Sequence, residues 1–183
     1  MNSLQAKLLI ASRHLLDPNF THSVVLMVRH DEEGALGLVL NRPSDHTIGE
    51  VWTEVLELPS DNPSPIYIGG PCAGQLMALH KDPRCVDLEI ADGLYLATQT
   101  EYLESLVAQD STPFRIFSGY SGWAGGQLED ELEVGSWLIS DAPEQAIFGD
   151  TDELWKSISR RVGEDILFGT LGIKAGSHEP ELN

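Results

Sequence analysis

The segment "HSVVLMVRHDEEGALGLVLNRP", residues 22 to 43, constrains the fold of this chain more than any other. Val24 to Val28 and Ala35 to Leu40 are apolar runs of strand length, joined by Asp31-Glu32-Glu33-Gly34, in which Gly34 can take a positive φ. That is a hairpin signal. A strand with one solvated face alternates apolar and polar residues, whereas both of these runs are nearly continuous. The hairpin is therefore predicted to lie in the core.

Beyond the hairpin, the chain mixes helices and strands. Thr47 and Glu50 have capping-box spacing, and Ile48, Val51, Trp52, Val55 and Leu56 then recur on one helical face. Pro59, Pro63 and Pro65 close that segment. Short strands are predicted at Ile66–Ile68, Leu76–Leu79, Val86–Ile90 and Leu94–Ala97, the last two joined by a tight Asp92-Gly93 turn. Leu8 to Ala11 reads as a first strand. Thr98 with Glu101 suggests a second capping box, opening a helix that turns Leu103, Leu106 and Val107 inward. Phe114–Phe117 and Trp137–Ile139 read as strands, and a last helix is predicted from Asp152 to Arg161. There is no regular βαβ rhythm, so the class is α+β. One domain is expected over residues 1–174, with 175–183 as a loose tail.

"FRIFSGYSGWAGGQLEDELEVGSW", residues 114 to 137, looks like a strand entering a glycine-rich bend and then a helix. Gly119-Tyr120-Ser121 begins a nucleophile-elbow pattern, but Trp123 stands where its second glycine belongs, and the histidine after Ser121 is His178. The glycines fit neither a dinucleotide-binding nor a Walker pattern. Glu129, Asp130 and Glu131 already complement the helix dipole there, which counts against a phosphate cradle. No histidine stands at ligand spacing from these acids, so they read as a solvated helix face rather than a metal site. Cys72 has no obvious basic neighbour to activate it, and the spacing of His22, His30 and His46 demands no metal. Arg42 ends a buried strand beside a rigid turn, where it either clamps a carboxylate or ties down a loop.

Charge narrows the function classes. Eleven Lys and Arg against 29 Asp and Glu give a formal net charge of −18. Nucleic-acid affinity comes largely from cations that neutralise phosphates, so direct DNA or RNA binding is not expected. An anionic membrane surface is disfavoured for the same reason. No apolar run approaches the roughly 18 residues of a spanning helix. Two cysteines are too few for a disulfide framework or a four-ligand zinc site, and a reduced cytosolic setting is expected.

Four blocks together resemble the YqgE/AlgH family of small bacterial proteins: "LLIASRHLLDPNFTHSVVLMVRHDEEGALGLVLNRP", "IYIGGP", "GLYLATQ" and "FRIFSGYSGWAGGQLEDELEVGSWL". The resemblance runs from Leu8 to about Gly169. It implies an α+β fold whose bifurcated, barrel-like, mostly antiparallel sheet is surrounded by helices. It implies no catalytic constellation. The family's signature positions map here onto Asp17, Pro18, Asn41, Arg42, Pro43, Gly69, Gly70, Pro71, Tyr120, Trp123, Gln127, Leu128, Glu129 and Trp137. One branch is labelled a transcriptional regulator of alginate production.

These features point to a non-enzymatic binding or regulatory protein that recognises a protein or a small ligand. Its expected surface is Asn41, Arg42, Pro43, Gly69, Gly70, Tyr120, Trp123, Gln127 and Glu129, with no cofactor and no metal. Two alternatives stand beside it. One is a hydrolase with an unrecognised site near Ser121 or Cys72; the other is a transcriptional regulator acting without direct DNA contact.

Overall fold

A computed structural model describes residues 3–55, 57–109 and 112–171. Leu56 and the tail expected at 175–183 lie outside the described residues. Strand β1 (Lys7–Ala11) precedes the hairpin β2 (Val24–Asp31) and β3 (Gly34–Val39). Strand β4 (Pro43–Thr47) leads into helix α1 (Ile48–Val55), then β5 (Pro65–Ile68) and β6 (Cys72–His80). The hairpin β7 (Leu88–Ala91) and β8 (Leu94–Ala97) is followed by α2 (Thr100–Ala108) and β9 (Phe114–Ala124). The described residues finish with α3 (Gln127–Glu133), β10 (Trp137–Asp141), α4 (Glu144–Phe148) and α5 (Leu154–Leu171).

The strands form one curled, half-barrel sheet in the order β10-β1-β2-β3-β9-β6-β8-β7. All of these pairs are antiparallel; β5 alone runs parallel to β9, carrying β4 with it off the main path. The fork in the sheet lies on one side of β9. Phe117 and Ser118 pair with Tyr67 and Ile68 of β5, whereas Ser121 to Ala124 pair with β3.

Three apolar layers explain the sequence pattern. Inside the curl, Val24, Leu26, Val28, Leu38, Leu40, Leu79 and Phe117 pack with Ile147, Leu154, Ile158 and Val162 from α4 and α5. Outside β1 to β3, Val25, Met27, Val39, Trp123 and Trp137 pack under Leu128 of α3. Outside β6, β8 and β9, Ala78, Ala97 and Ile116 pack under Ile48, Trp52, Leu103 and Leu106 of α1 and α2. Strand β2 is thus covered on both faces, which is why its run is continuous rather than alternating.

The local signals divide. The first capping box is present: the Thr47 amide donates to the Glu50 carboxylate at 2.8 Å, and the Glu50 amide donates to Thr47 Oγ1 at 3.2 Å. The second is not. Helix α2 takes Gln99 as its N-cap without a side-chain bond, and Thr98 instead donates its amide to Asp87 Oδ2 at 2.6 Å. The Asp87 carboxylate also receives the Gln99 amide, so a tertiary partner displaces the local cap. Strand β9 brings the larger correction. It does not end at Phe117 but continues through the glycine stretch to Ala124, and the turn falls at Gly125-Gly126.

Candidate functional site

Gly119 sits where β9 changes partners, with φ at +72°. A Cβ there would stand 2.7 Å from the Cys72 carbonyl oxygen, so the position accepts no side chain without moving backbone. Gly70 takes φ +155° against the same crossing, and a Cβ on it would meet Ser121 Oγ at 2.3 Å. The close approach lets the strand pass through the crossing, and β6 bulges opposite Gly119, since Cys72 faces Tyr120 while Leu76 faces Ser118. Ser121 lies beneath this crossing, fully buried, and its hydroxyl donates to the Gly69 carbonyl at 3.1 Å. Its proton is committed to a backbone oxygen and its Oγ has no solvent access. The hydroxyl cross-links the fork.

Beyond the fork, the signature residues turn inward onto α3. Trp123 and Trp137 are 5% and 3% exposed and lie edge to face, with Phe20 stacked on Trp123. Both indole N–H groups donate to one atom, Glu131 Oε2, at 2.9 and 2.7 Å. Gln127 Nε2 donates to the other oxygen of Glu131 at 3.0 Å, while Gln127 Oε1 accepts the Ala124 amide at 3.1 Å. His30 Nε2 bonds Glu129 Oε1 at 2.8 Å, and His30 Nδ1 accepts the Leu4 amide at 3.0 Å. An imidazole that accepts at Nδ1 carries its proton on Nε2, so His30 donates to Glu129. The acidic helix is therefore a solvated face only in part: Asp130 and Glu133 are exposed, as the charge run suggested, but Glu129 and Glu131 are not. Glu129 and Glu131 bolt it to the sheet. Glu131 escaped the sequence reasoning, although two tryptophans close by each bring an N–H that needs an acceptor when buried.

Asn41, Arg42 and Pro43 gather on the other side of the fork. Asn41 Oδ1 accepts the Val24 amide at 2.9 Å and Nδ2 donates to the His22 carbonyl at 2.8 Å, pinning the 12–23 loop to β3. Arg42 reaches the carbonyls of Thr21 and Pro18 at 3.3 and 3.5 Å, bonds that are long for a guanidinium. Partial burial lowers its pKa, and the field of Asp17 offsets part of that. It makes no ion pair among the described residues. The Arg42 carbonyl accepts the Ile68 amide, which brings exposed Ile68 (44%) and exposed Pro43 beside the guanidinium. Gly69, whose carbonyl accepts the Val39 amide, and half-buried Tyr120 complete this junction. The nine candidate residues thus divide: Asn41, Arg42, Pro43, Gly69, Gly70 and Tyr120 at the fork, Trp123, Gln127 and Glu129 in the α3 clasp.

Other buried polar groups carry no sequence signal. Arg115, 7% exposed, lies over the Tyr67 ring at 4.4 Å and donates to the Leu40 and Gly149 carbonyls at 3.3 and 2.7 Å. Burial lowers its pKa. His80 is fully buried; its Nδ1 accepts the Asp82 amide at 3.2 Å while its Nε2 has no partner among the described residues. Burial lowers the His80 pKa, against the opposing field of Asp82. Hydrogen bonds from Arg84 hold the Asp82 carboxyl down at about 2. His22 lies against the Trp155 ring at 4.2 Å, whereas His30 is engaged with Glu129, so the two do not converge on one site. Among the described residues, no group of three or more His, Cys, Asp or Glu side chains is placed to hold a metal ion.

The molecule is thus a single-domain α+β scaffold with a curled sheet that forks at a glycine bulge, its clustered polar residues chiefly bracing the frame. A family model described as AlgH-like matches residues 8–167. A UPF0301 protein from Xanthomonas campestris pv. campestris is 37% identical over 171 residues, spanning 89% of this chain and 91% of that protein. One from Chlorobaculum tepidum is 37% identical over 166 residues, spanning 86% and 87%. The solution structure of the AlgH protein from Pseudomonas aeruginosa superposes with a TM-score of 0.76 at 32% identity, covering 96% of each chain. A crystal structure from Corynebacterium diphtheriae superposes at 0.72 with 25% identity, covering 88% and 87%. The chain belongs to the AlgH-like family.

Proposed function

We propose that this chain is a non-enzymatic binding or regulatory protein that contacts a protein partner at the fork, through Arg42, Pro43, Ile68 and Tyr120. The state of Arg42 supports this most directly. In a chain of net charge −18, its guanidinium is half-buried, makes no ion pair among the described residues, and directs its donors into long bonds to two carbonyls. Exposed Ile68 and Pro43 flank it. An arginine with spare donors beside apolar surface suits a partner carboxylate set next to an apolar side chain, since arginine and tyrosine commonly anchor interfaces. Regulation without direct DNA contact fits the same reading, because the cations are few and Arg161 already donates to Ser140 Oγ at 3.3 Å.

The hydrolase alternative is weakened by Ser121, whose hydroxyl is buried and bonded to a carbonyl. The test is affinity capture from cytosol of the source bacterium with wild type, Arg42→Ala and Tyr120→Ala, all checked for folding. A partner retained by wild type and lost from Arg42→Ala is the expected result. Identical partners across the three would remove the fork from the site. An esterase and thioesterase screen with Ser121→Ala and Cys72→Ala bears on the alternative, and activity lost only in those variants would reverse the assignment.

A further inference from the structure

A second place lies away from the fork, at the seam where the curled sheet fails to close. The β7–β8 hairpin approaches the start of β1 there, with Gln5 Nε2 donating to the Ile90 carbonyl at 3.0 Å. Between this hairpin and α4 is a cavity of about 160 Å³, walled by Ala6, Ala91, Leu94, Ala142, Ile147 and Phe148. All six belong to, or pack against, the apolar layer inside the curl, so one wall of the cavity is continuous with the core, while Lys81, Asp92, Gly93 and Glu144 make up the rest of its lining. Barrel mouths are a recurring place for small ligands, and an apolar cavity of about 150 Å³ is enough to hold a benzene ring.

Its rim is charged. Lys81 and Glu144 pair across it at 2.7 Å, and exposed Asp92 stands at the Asp-Gly turn with no hydrogen bond or ion pair to any described residue. The one cation of the rim is thus neutralised and the unanswered charge is negative, in a chain whose net charge is −18. We infer that this cavity binds a small apolar primary amine, with the hydrocarbon in the cavity and the ammonium at the rim beside Asp92. Electrostatic complementarity selects the amine over the acid or alcohol of the same shape. This site is independent of the fork, so either assignment can fail alone.

The experiment is a titration of the isotope-labelled whole chain with benzylammonium chloride, benzyl alcohol and sodium benzoate at constant ionic strength, followed through backbone amides. For a ligand of about eight non-hydrogen atoms, a Kd on the order of 1 mM is expected. Shifts should centre on Ala91, Gly93 and Ile147, with the alcohol weaker and benzoate weakest. Exposed ion pairs are worth several-fold at most, so Asp92→Asn should weaken the amine about threefold. Lys81→Ala, which frees Glu144, should tighten it about threefold. The two surface substitutions leave the fold intact, as unchanged shifts elsewhere would verify. Benzoate binding as tightly as the amine, weaker amine binding by Lys81→Ala, shifts centred elsewhere, or no saturation by about 20 mM would each overturn the assignment.

Discussion

The two ends of strand β9 bury polar groups by opposite means. Beyond the fork, the buried ring N–H groups meet side-chain carboxylates: two indoles share Glu131 and an imidazole meets Glu129. Before the fork, Arg115 is buried against two backbone carbonyls and a tyrosine face, and His80, which pairs with Phe114, has a nitrogen without a partner among the described residues. Hydrogen bonds to a charged partner are worth about 1.5–3 kcal/mol each, whereas a buried charge without one yields little net stability. The clasp should therefore hold the fold, and the opposite end should be tolerant of substitution but sensitive to pH.

Four substitutions put that contrast at risk. Trp123→Ala should cost the most, about 3–5 kcal/mol, because it empties a buried aromatic site and strands part of the clasp. Urea denaturation monitored by circular dichroism reads this directly, and a loss under about 1 kcal/mol would mean that the α3 layer is dispensable. Glu131→Leu should cost about 2–4 kcal/mol by leaving both indole N–H groups without an acceptor. If Glu131→Leu is as stable as wild type, the shared carboxylate is not what secures the helix.

The third concerns pH. The folded pKa of His80 lies below its unfolded value of 6.5, so protons bind the unfolded chain preferentially. His80 thus adds no pH dependence above about pH 6.5. Its contribution is lost as pH falls from there toward the lowered folded pKa, by at most about 1.4 kcal/mol per pH unit. The stability difference between wild type and His80→Asn should shrink over that window, and a difference independent of pH between about 7 and 5 would contradict it. The smallest effect is expected for Arg115→Met, about 1 kcal/mol or less, since removal of a desolvated cation offsets the lost carbonyl bonds. A loss as large as that of Glu131→Leu would erase the distinction between the two ends.

The same strands separate what is legible in the sequence from what is not. The continuous apolar runs of β2 and β3 announce a hairpin buried on both faces, and the Thr47–Glu50 box announces the start of α1. The Asp92-Gly93 turn is equally plain, with Gly93 at φ +70°. Thr98 and Glu101 mislead because a spacing rule cannot see Asp87, eleven residues upstream of Thr98, which claims the Thr98 amide. The glycines of β9 mislead because the residue that breaks a strand in isolation can let a strand change partners in a sheet. Of the candidate residues, the fork set and the clasp set are legible as a group from their motif, but not as two places.

Residue period and composition dictate the α+β class, the central hairpin and the net negative charge. Those are properties of neighbours along the chain or of the whole chain summed. Which way each polar side chain faces was settled only by long-range packing. Glu131 and Asp92 are both carboxylates in short acidic or turn-forming stretches, yet one bonds two indoles and the other has no partner among the described residues, at a cavity mouth. Their difference comes from the packing of α3 against β9 and β10, which sets Glu131 between both indoles, and from the seam, which leaves Asp92 exposed. Trp123 and Trp137 stand only eight and six residues from Glu131, yet it is the packing of that stretch, not its residue order, that turns all three side chains together.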